Sequence, residues 1–250
     1  MSTAHQAIEI ENLSYCYPDS SQALRAISFS VAEGECVGLI GPNGAGKSTL
    51  LLHLNGILPE TQRNAAHIRI FAEPISRDNL PAIRRTVGVL FQNPDDQLFC
   101  PTVFEDVAFG PRQAGLSEPE VTEKVRVTLA AVGLHGFERK SPHHLSQGEK
   151  RRVCLAGVLA CEARVLALDE PTSDLDPRNR RAFTALLKPI RATKIIASHD
   201  LNMIAELCQR VLLLDGGELV AEGPAATLLA NEPLMLEHGL ERARALQPGR

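Results

Sequence analysis

The sequence predicts an α/β fold in which a mostly parallel sheet is accompanied by a small antiparallel β-lobe and an inserted helical lobe. Four short, largely apolar runs predict the sheet, since parallel strands covered by helices on both faces have this pattern. These runs are residues 36–40, 87–91, 165–168 and 194–198. With 250 residues, 44% of them hydrophobic, the chain is long enough to bury a sizeable core.

The two lobes are predicted from patterns that differ from those runs. Residues 7–17 alternate in strand fashion, and residues 27–31 continue the alternation before the turn at 32–34, so these strands are expected to be antiparallel. Residues 93–160 consist of Pro-punctuated loops and amphipathic segments, and residues 121–132 have apolar side chains at helical spacing. We therefore expect a helical lobe over about 93–160.

The remaining elements complete one domain over residues 1–230. Residues 68–71 predict a short strand, and residues 210–214 and 218–221 predict a hairpin around the turn Asp215-Gly216-Gly217. Residues 231–250 are expected to form a short C-terminal tail, with a short helix followed by a frayed end.

Net charge, the lengths of the apolar runs and the spacing of the cysteines argue against several classes of protein. The net charge is −4 and the 26 Lys and Arg residues are scattered, which argues against a nucleic-acid partner. No apolar run approaches the roughly 18 residues that span a bilayer, and the N-terminal residues lack a charged-then-apolar signal pattern, so a cytosolic chain is expected. The six cysteines are widely spaced and include no C-x-x-C pair, which favours reduced thiols over a disulfide or metal framework.

The most informative motif lies between an apolar run and a helix-forming run. The sequence Gly41-Pro42-Asn43-Gly44-Ala45-Gly46-Lys47-Ser48-Thr49 fits the phosphate-binding pattern G-x-x-x-x-G-K-[ST]. The glycines allow successive N–H groups to point at an anion, and the start of the following helix adds its positive dipole end. Lys47 would reach the β- and γ-phosphates of a nucleotide, and the Ser48 hydroxyl would ligate Mg²⁺.

Two carboxylates follow the apolar run at 165–168. In an open α/β sheet, ligands bind at the carboxyl ends of strands, which would bring Asp169 and Glu170 next to the phosphate loop. Asp169 would there hold Mg²⁺ through its water shell, and Glu170 would polarise an attacking water. Taken alone, the pair could instead be two acidic residues that solvate a strand end.

Two further segments have two interpretations each. Ser146 and Glu149 form the S-x-x-E capping box that begins a helix, and a serine at a helix N-terminus is also part of an anion site. Asp174 and Asp176 either extend the site around Glu170 or cap the helix that follows Pro177.

Over nearly its whole length the chain resembles the ATP-binding-cassette (ABC) ATPase subunits, whose nucleotide-binding domain is a P-loop NTPase with a RecA-like sheet. Seven features occur in the order found in that family. They are Tyr17, the loop 41–49, Gln92, the signature Leu145-Ser146-Gln147-Gly148-Glu149, the strand and carboxylates at 165–170, the segment 173–176, and His199.

The resemblance implies a role for each of these residues, with ATP and Mg²⁺ as the bound groups. Tyr17 would stack on adenine, Glu170 would be the catalytic base, and His199 would contact the γ-phosphate. Gln92 would sense both the metal and the attacking water, so that Ser48, Gln92 and Asp169 form the metal set. The implied nucleotide contacts are Tyr17, Asn43, Gly44, Gly46, Lys47, Ser48, Thr49, Ser146 and Gly148.

The signature departs from the family's usual L-S-G-G-Q. Ser146 and Gly148 are kept, whereas Gln147 replaces a glycine at a position of close backbone approach. In the family, the signature serves the nucleotide bound by the opposite subunit. The resemblance therefore implies a head-to-tail pair of cassettes, formed by two copies of this chain or by this chain and a related ATPase.

The run that follows Gln92 resembles the energy-coupling-factor (ECF) importers, and is most similar to the cobalt and nickel importers' ATPase. It comprises Asn93-Pro94-Asp95-Asp96-Gln97-Leu98-Phe99 and residues 102–111. The resemblance implies one lip of a groove that receives a helix from an integral membrane coupling subunit, beside a substrate-specific membrane subunit. The chain would lie on the cytoplasmic face of the cell membrane as a peripheral protein. The alternatives are a vitamin importer of the same type and a soluble assembly factor such as an iron–sulphur scaffold ATPase.

Overall fold

The computed structural model describes residues 5–59 and 67–241, which form two sheets and the helices around them. The expected frayed end at residues 242–250 lies outside these residues. The strands are β1 (Gln6–Cys16), β2 (Gln22–Ala32), β3 (Cys36–Ile40), β4 (Ile68–Ile70), β5 (Glu73–Pro74), β6 (Val87–Leu90), β7 (Val165–Asp169), β8 (Thr193–Ala197), β9 (Arg210–Asp215) and β10 (Glu218–Pro224). The helices are α1 (Lys47–Leu54), α2 (Leu80–Thr86), α3 (Val103–Gln113), α4 (Glu118–Ala131), α5 (Gln147–Ala160), α6 (Pro177–Leu187), α7 (Leu201–Leu207), α8 (Ala225–Leu228) and α9 (Glu232–Glu237).

The larger sheet has six strands in the order β10-β9-β3-β8-β7-β6. Strands β9, β3, β8, β7 and β6 are parallel, and β10 pairs antiparallel with β9 through the expected hairpin. Every residue of β3, β7 and β8 is buried, which explains why these runs are apolar without alternation. Because the strands are parallel, the carboxyl ends of β3, β7 and β8 lie at one edge of the sheet.

The two faces of this sheet are covered differently. Cys36 and Ile40 of β3 face a cluster that includes the helical lobe, whereas Val37 and Leu39 face a second cluster built around α1. The smaller antiparallel sheet, in the order β2-β1-β4-β5, contributes to that second cluster. The expectation of helices on both faces is therefore incomplete, because strand side chains alternate and the β-lobe shares one face with α1.

The helical lobe consists of α3, α4 and the first part of α5. Thr102 caps α3, and Ser117 with Glu120 forms a capping box at the start of α4, which covers the predicted helix at residues 121–132 up to Ala131. Ser146 and Glu149 form the predicted capping box of α5. Helix α3 follows the loop at residues 97–102, as expected from the Pro-punctuated loops and amphipathic segments of this region.

The structure also shows the state of the cysteines and the lengths of the helices. All six cysteines lie in the described residues as free thiols, and Cys36, Cys154 and Cys208 are buried. None of the helices in residues 5–59 and 67–241 is long and apolar enough to cross a membrane.

The packing of α4 predicts how much stability is lost when a buried side chain of the helical lobe is truncated. Leu129 is fully buried, so Leu129→Ala should lower the free energy of unfolding by about 2–5 kcal/mol through lost contacts and a cavity. Leu236→Ala is the matched control, because this side chain on α9 is 63% exposed, and its cost should stay below about 1 kcal/mol. Urea denaturation followed by circular dichroism measures both, and equal costs would contradict this account of the core.

Candidate active site

The phosphate loop connects β3 to α1 and depends on glycine at two positions. Gly41 has φ of 149°, and a Cβ there would lie 2.0 Å from the backbone oxygen of Leu214. Gly46 has φ of 100°, and a Cβ there would lie 2.5 Å from the backbone oxygen of Ala23. Real side chains do not tolerate either distance, so the loop packs against β9 and β2 only because these residues are glycines.

Helix α1 begins at Lys47 rather than at Thr49, two residues closer to the loop than the apolar pattern indicates. Its N-cap is Gly46, which has no side chain to accept hydrogen bonds from the first turn. The backbone N–H groups of that turn therefore point out of the helix N-terminus toward the loop, an arrangement that binds phosphate.

Lys47 is held inside the loop. Its side chain is buried, and Nζ donates to the backbone oxygens of Gly41 at 2.8 Å and Pro42 at 2.9 Å. An ammonium group has three N–H bonds, so two position it and a third is left to reach a phosphate oxygen. Burial lowers the pKa of Lys47, and the nearby carboxylates of Glu170 and Asp169 oppose that shift.

Asp169 ends β7 and fits a place in a magnesium site. It is buried, and its Oδ1 has no hydrogen-bond partner among the described residues. Burial raises the pKa of Asp169, while a hydrogen bond from the Ser48 side chain lowers it. A buried carboxylate oxygen without a partner, beside a hydroxyl, matches the oxygen ligands or water-bridged contacts that Mg²⁺ takes.

Glu170 is fixed at the carboxyl end of β7 by residues that follow β8. Its side chain is buried and its φ is 44°, an uncommon left-handed value for a residue with a side chain. The carboxylate accepts hydrogen bonds from the Ser198 hydroxyl at 3.2 Å and the His199 backbone N–H at 3.1 Å. His199 Nδ1 lies 2.8 Å from Glu170 Oε2, while 64% of the His199 side chain remains exposed.

Arg151 of α5 supports the backbone of Glu170, a role that the motifs do not indicate. One guanidinium nitrogen donates to the Glu170 backbone oxygen at 2.9 Å, and the other donates to Ser173 Oγ at 2.6 Å. The Ser173 hydroxyl also donates to that backbone oxygen, at 3.0 Å. Burial lowers the pKa of Arg151. The sequence indicates only that Arg151 is buried, because its spacing puts it on the same helix face as Leu155 and Val158.

Tyr17 lies at the other end of the site, just beyond β1. Its hydroxyl forms a 2.9 Å hydrogen bond with Thr49 Oγ1 of α1, and its ring meets that of Tyr15 edge-on, with centroids 5.0 Å apart. These contacts orient an aromatic ring toward the loop, where it can stack on a base.

These residues surround one open cleft of about 790 Å³. The cleft brings together most of the site residues expected from the sequence, namely Tyr17, Asn43, Gly44, Gly46, Lys47, Ser48, Thr49, Gln92, Asp169, Glu170 and His199. Gly239 and Leu240 near the end of the described chain also line it, and no motif indicated them.

The remaining predicted residues lie elsewhere or have capping roles. Ser146 and Gly148 do not line this cleft, and Ser146 Oγ lies 2.7 Å from Glu149 Oε2 within the capping box. Asp174 and Asp176, for which the sequence left two roles open, have different positions in the structure. Asp174 lines the cleft, whereas Asp176 caps α6 by accepting hydrogen bonds from the first turn.

Known proteins resemble the chain over most of its length. The ABC transporter family model matches residues 24–173, more than half of the chain. A putative ABC transporter ATP-binding protein of Geobacter sulfurreducens is 49% identical, over 98% of this chain and 97% of that protein. The energy-coupling factor transporter ATP-binding protein EcfA of Methanothermobacter thermautotrophicus is 48% identical, over 95% of this chain and 77% of that protein.

A solved structure shows the same fold. The structure of CbiO1 from Clostridium perfringens, described as part of the ABC transporter complex CbiONQ, matches with a TM-score of 0.80 and 35% identity. The match covers 93% of this chain and 94% of that one. The cassette fold predicted from the sequence is thus confirmed, and the cleft lies where parallel strands end at the phosphate loop. The chain belongs to the ABC transporter ATP-binding proteins of the energy-coupling-factor type, and it is an ATPase of that family.

Proposed function

We propose that the chain is the motor subunit of an energy-coupling-factor importer, which couples ATP hydrolysis to uptake of cobalt or nickel ions through membrane partners. The observation that carries the hydrolytic part is the position of Glu170. Its carboxylate is held by Ser198 and His199 in the same cleft as the phosphate loop and Lys47. Such a site can place a base beside the terminal phosphate of ATP.

In the proposed reaction, the loop N–H groups and Lys47 bind the β- and γ-phosphates and stabilise the charge that develops on them. Glu170 accepts a proton from a water whose oxygen attacks the γ-phosphorus. The bond between that phosphorus and the β–γ bridging oxygen breaks, and ADP leaves with the electron pair. His199, hydrogen-bonded to Glu170 through Nδ1, is placed to contact the γ-phosphate.

Mg²⁺ would be held by Ser48, Gln92 and Asp169, all of which line the cleft. When bound, the ion neutralises phosphate charge and polarises the γ-phosphoryl group. Asp169 supplies the unpartnered buried oxygen, and Ser48 supplies the hydroxyl beside it.

A second cassette would complete the site. Ser146 and Gly148 do not line the cleft formed by their own chain, which supports the proposal that they serve the nucleotide of a facing subunit. Two cassettes closing around ATP and reopening after hydrolysis would convert the chemistry into motion.

The motion would pass to a membrane subunit through a groove lined by Gln97, Leu98 and Phe99 of the run that follows Gln92. Phe99 and Phe109 are 68% and 47% exposed, and their rings meet edge-on with centroids 5.2 Å apart. Both line a groove of about 250 Å³ between the sheet edge at β6 and α3 and α5 of the helical lobe. Exposed paired aromatics in a groove are typical of a binding site for an amphipathic helix.

The choice of cobalt or nickel rests on the resemblance of residues 93–111, and on the relation to CbiO1 as part of the CbiONQ complex. A vitamin importer of the same type is the second candidate. A soluble assembly factor is the third, and it differs in having no membrane partner. Copurification from membranes followed by identification of the partner chains separates the three.

Replacing the proposed base tests the chemistry. Glu170→Gln should keep ATP binding but lower the hydrolysis rate by about 100-fold or more, because an amide cannot accept the proton from water. ATP turnover and ATP affinity are measured on the same preparation. Glu73→Gln, on exposed β5 outside the cleft, should leave both unchanged. Turnover near the unmodified rate in Glu170→Gln would remove Glu170 from this role.

Removing the buried cation tests the binding geometry. Lys47→Ala should weaken ATP affinity about tenfold or more, because a charge-assisted bond to phosphate is lost. Isothermal titration with ATP measures this, and Lys188→Ala at the exposed end of α6 is the matched control. Unchanged affinity in Lys47→Ala would contradict the assigned loop geometry.

The groove makes a separate prediction about the membrane partner. Phe99→Ser should reduce the membrane subunits that copurify with the chain about tenfold, because a central aromatic anchor is lost, while ATP affinity stays unchanged. Leu236→Ser changes a similarly exposed apolar residue far from the groove and should have no effect. If the unmodified chain, Phe99→Ser and Leu236→Ser copurify equal amounts of the membrane subunits, the membrane partner does not bind in this groove.

A further inference from the structure

The segment that follows β10 forms part of the wall of the nucleotide cleft. Gly239 and Leu240 line the cleft together with the phosphate loop and Glu170. Leu240 is only 8% exposed, so its side chain is packed against the domain and is not a loose end. This short stretch belongs to none of the nucleotide-binding motifs.

The segment is anchored to the core at its helix. Met235 on α9 is fully buried and belongs to the same apolar cluster as Leu240. The backbone N–H of Leu240 donates to the Met235 backbone oxygen at 2.8 Å, which turns the chain back at the end of α9. The position of Leu240 is thus set by the packing of Met235.

A polar contact ties the same segment to the β9–β10 hairpin. His238 Nδ1 lies 2.8 Å from Asp215 Oδ2 at the end of β9. The residue before Asp215 is Leu214, whose backbone oxygen is the atom that Gly41 of the phosphate loop approaches. The hairpin therefore lies between the C-terminal segment and the loop.

The hairpin also touches β2, the strand that follows the Tyr17 loop. The backbone N–H of Arg25 donates to the Gly217 backbone oxygen at 2.8 Å, and a Cβ on Gly217 would lie 2.8 Å from the Ala23 backbone oxygen. The β9–β10 hairpin is thus in contact with the phosphate loop, with β2 and with His238 of the segment that carries Leu240.

We propose that Leu240 contacts bound nucleotide as an apolar wall of the cleft, and that the contact between His238 and Asp215 positions it there. The inference rests on the assignment of this cleft as the ATP site. Leu240 would exclude water from one side of the nucleotide, and His238 and Asp215 would be positioning residues that touch no ligand.

Affinity measurements on the full chain test the wall. Leu240→Ala should weaken ATP binding about threefold, because the small apolar surface that Leu240 exposes to the cleft, and that the nucleotide covers, is lost. Leu240→Met keeps the volume and should bind ATP as tightly as the unmodified chain. Leu236→Ala, on the exposed side of α9, should bind ATP normally. Thermal unfolding without nucleotide shows whether each variant is folded, and weak binding in a folded Leu240→Met as well would overturn the proposal.

Thiol labelling tests the contact itself. In Leu240→Cys, ATP should slow reaction of the new thiol with a maleimide at least about fivefold, whereas Leu236→Cys should react equally fast with and without ATP. Peptide mapping distinguishes these thiols from the six native cysteines. Protection that rises with protein concentration at saturating ATP would assign the cover to a second copy and overturn the proposal.

The positioning contact predicts a smaller, separable effect. His238→Ala should weaken ATP affinity about twofold, and Asp215→Asn, which can still accept a hydrogen bond, should weaken it less. If Lys47→Ala loses ATP while the Leu240 and His238 variants bind normally, the cleft assignment stands and the inference about the C-terminal segment fails. If Lys47→Ala binds ATP normally, the cleft assignment itself fails.

Discussion

The active site depends on the backbone ladder that joins three parallel strands at their carboxyl ends. Asp169 pairs with Ala197 in the register of β7 and β8, and the Glu170 N–H extends that ladder by donating to the Ala197 backbone oxygen at 2.9 Å. On the other side, the Ser198 N–H donates to the Leu39 backbone oxygen at 3.2 Å. Asp169, Glu170 and the phosphate loop therefore leave the sheet at fixed positions relative to one another.

Side-chain contacts fix the orientation of Glu170, which the backbone ladder alone does not determine. Ser198 and His199 hold the Glu170 carboxylate from one side, and Arg151 holds its backbone oxygen from the other. Because Arg151 belongs to the helix that Ser146 caps, the proposed contact to a facing nucleotide and the proposed base are joined by one helix. Helix α5 thus contributes both to the position of the proposed base and to the proposed contact with a second cassette.

The sequence predicted the parts of this arrangement that are local in the chain. Apolar runs located the parallel strands, and the spacing of glycines, Lys47 and Ser48 located the phosphate loop, because strand–loop–helix chemistry is encoded within about 15 consecutive residues. Asp176 and Asp174 could not be told apart, since a helix cap and a site residue use the same side chain. Arg151 contacts Glu170, 19 residues away, and Leu240 lines a cleft formed by distant parts of the chain. The residues next to Arg151 and Leu240 in the sequence do not indicate these positions. Such contacts follow from tertiary packing, which single-sequence patterns do not contain.

The unequal covering of the two sheet faces has a consequence for substitutions in the core. The side chains of β3 alternate between a cluster shared with the helical lobe and a cluster shared with α1 and the β-lobe. The sheet therefore separates two apolar clusters, so that the side chains of one cluster do not pack against those of the other. The backbone atoms that crowd Gly41 and Gly46 belong to Leu214 and Ala23, and Leu214 lies in the second cluster. A substitution inside the helical lobe therefore changes packing on the opposite side of the sheet from these glycine contacts.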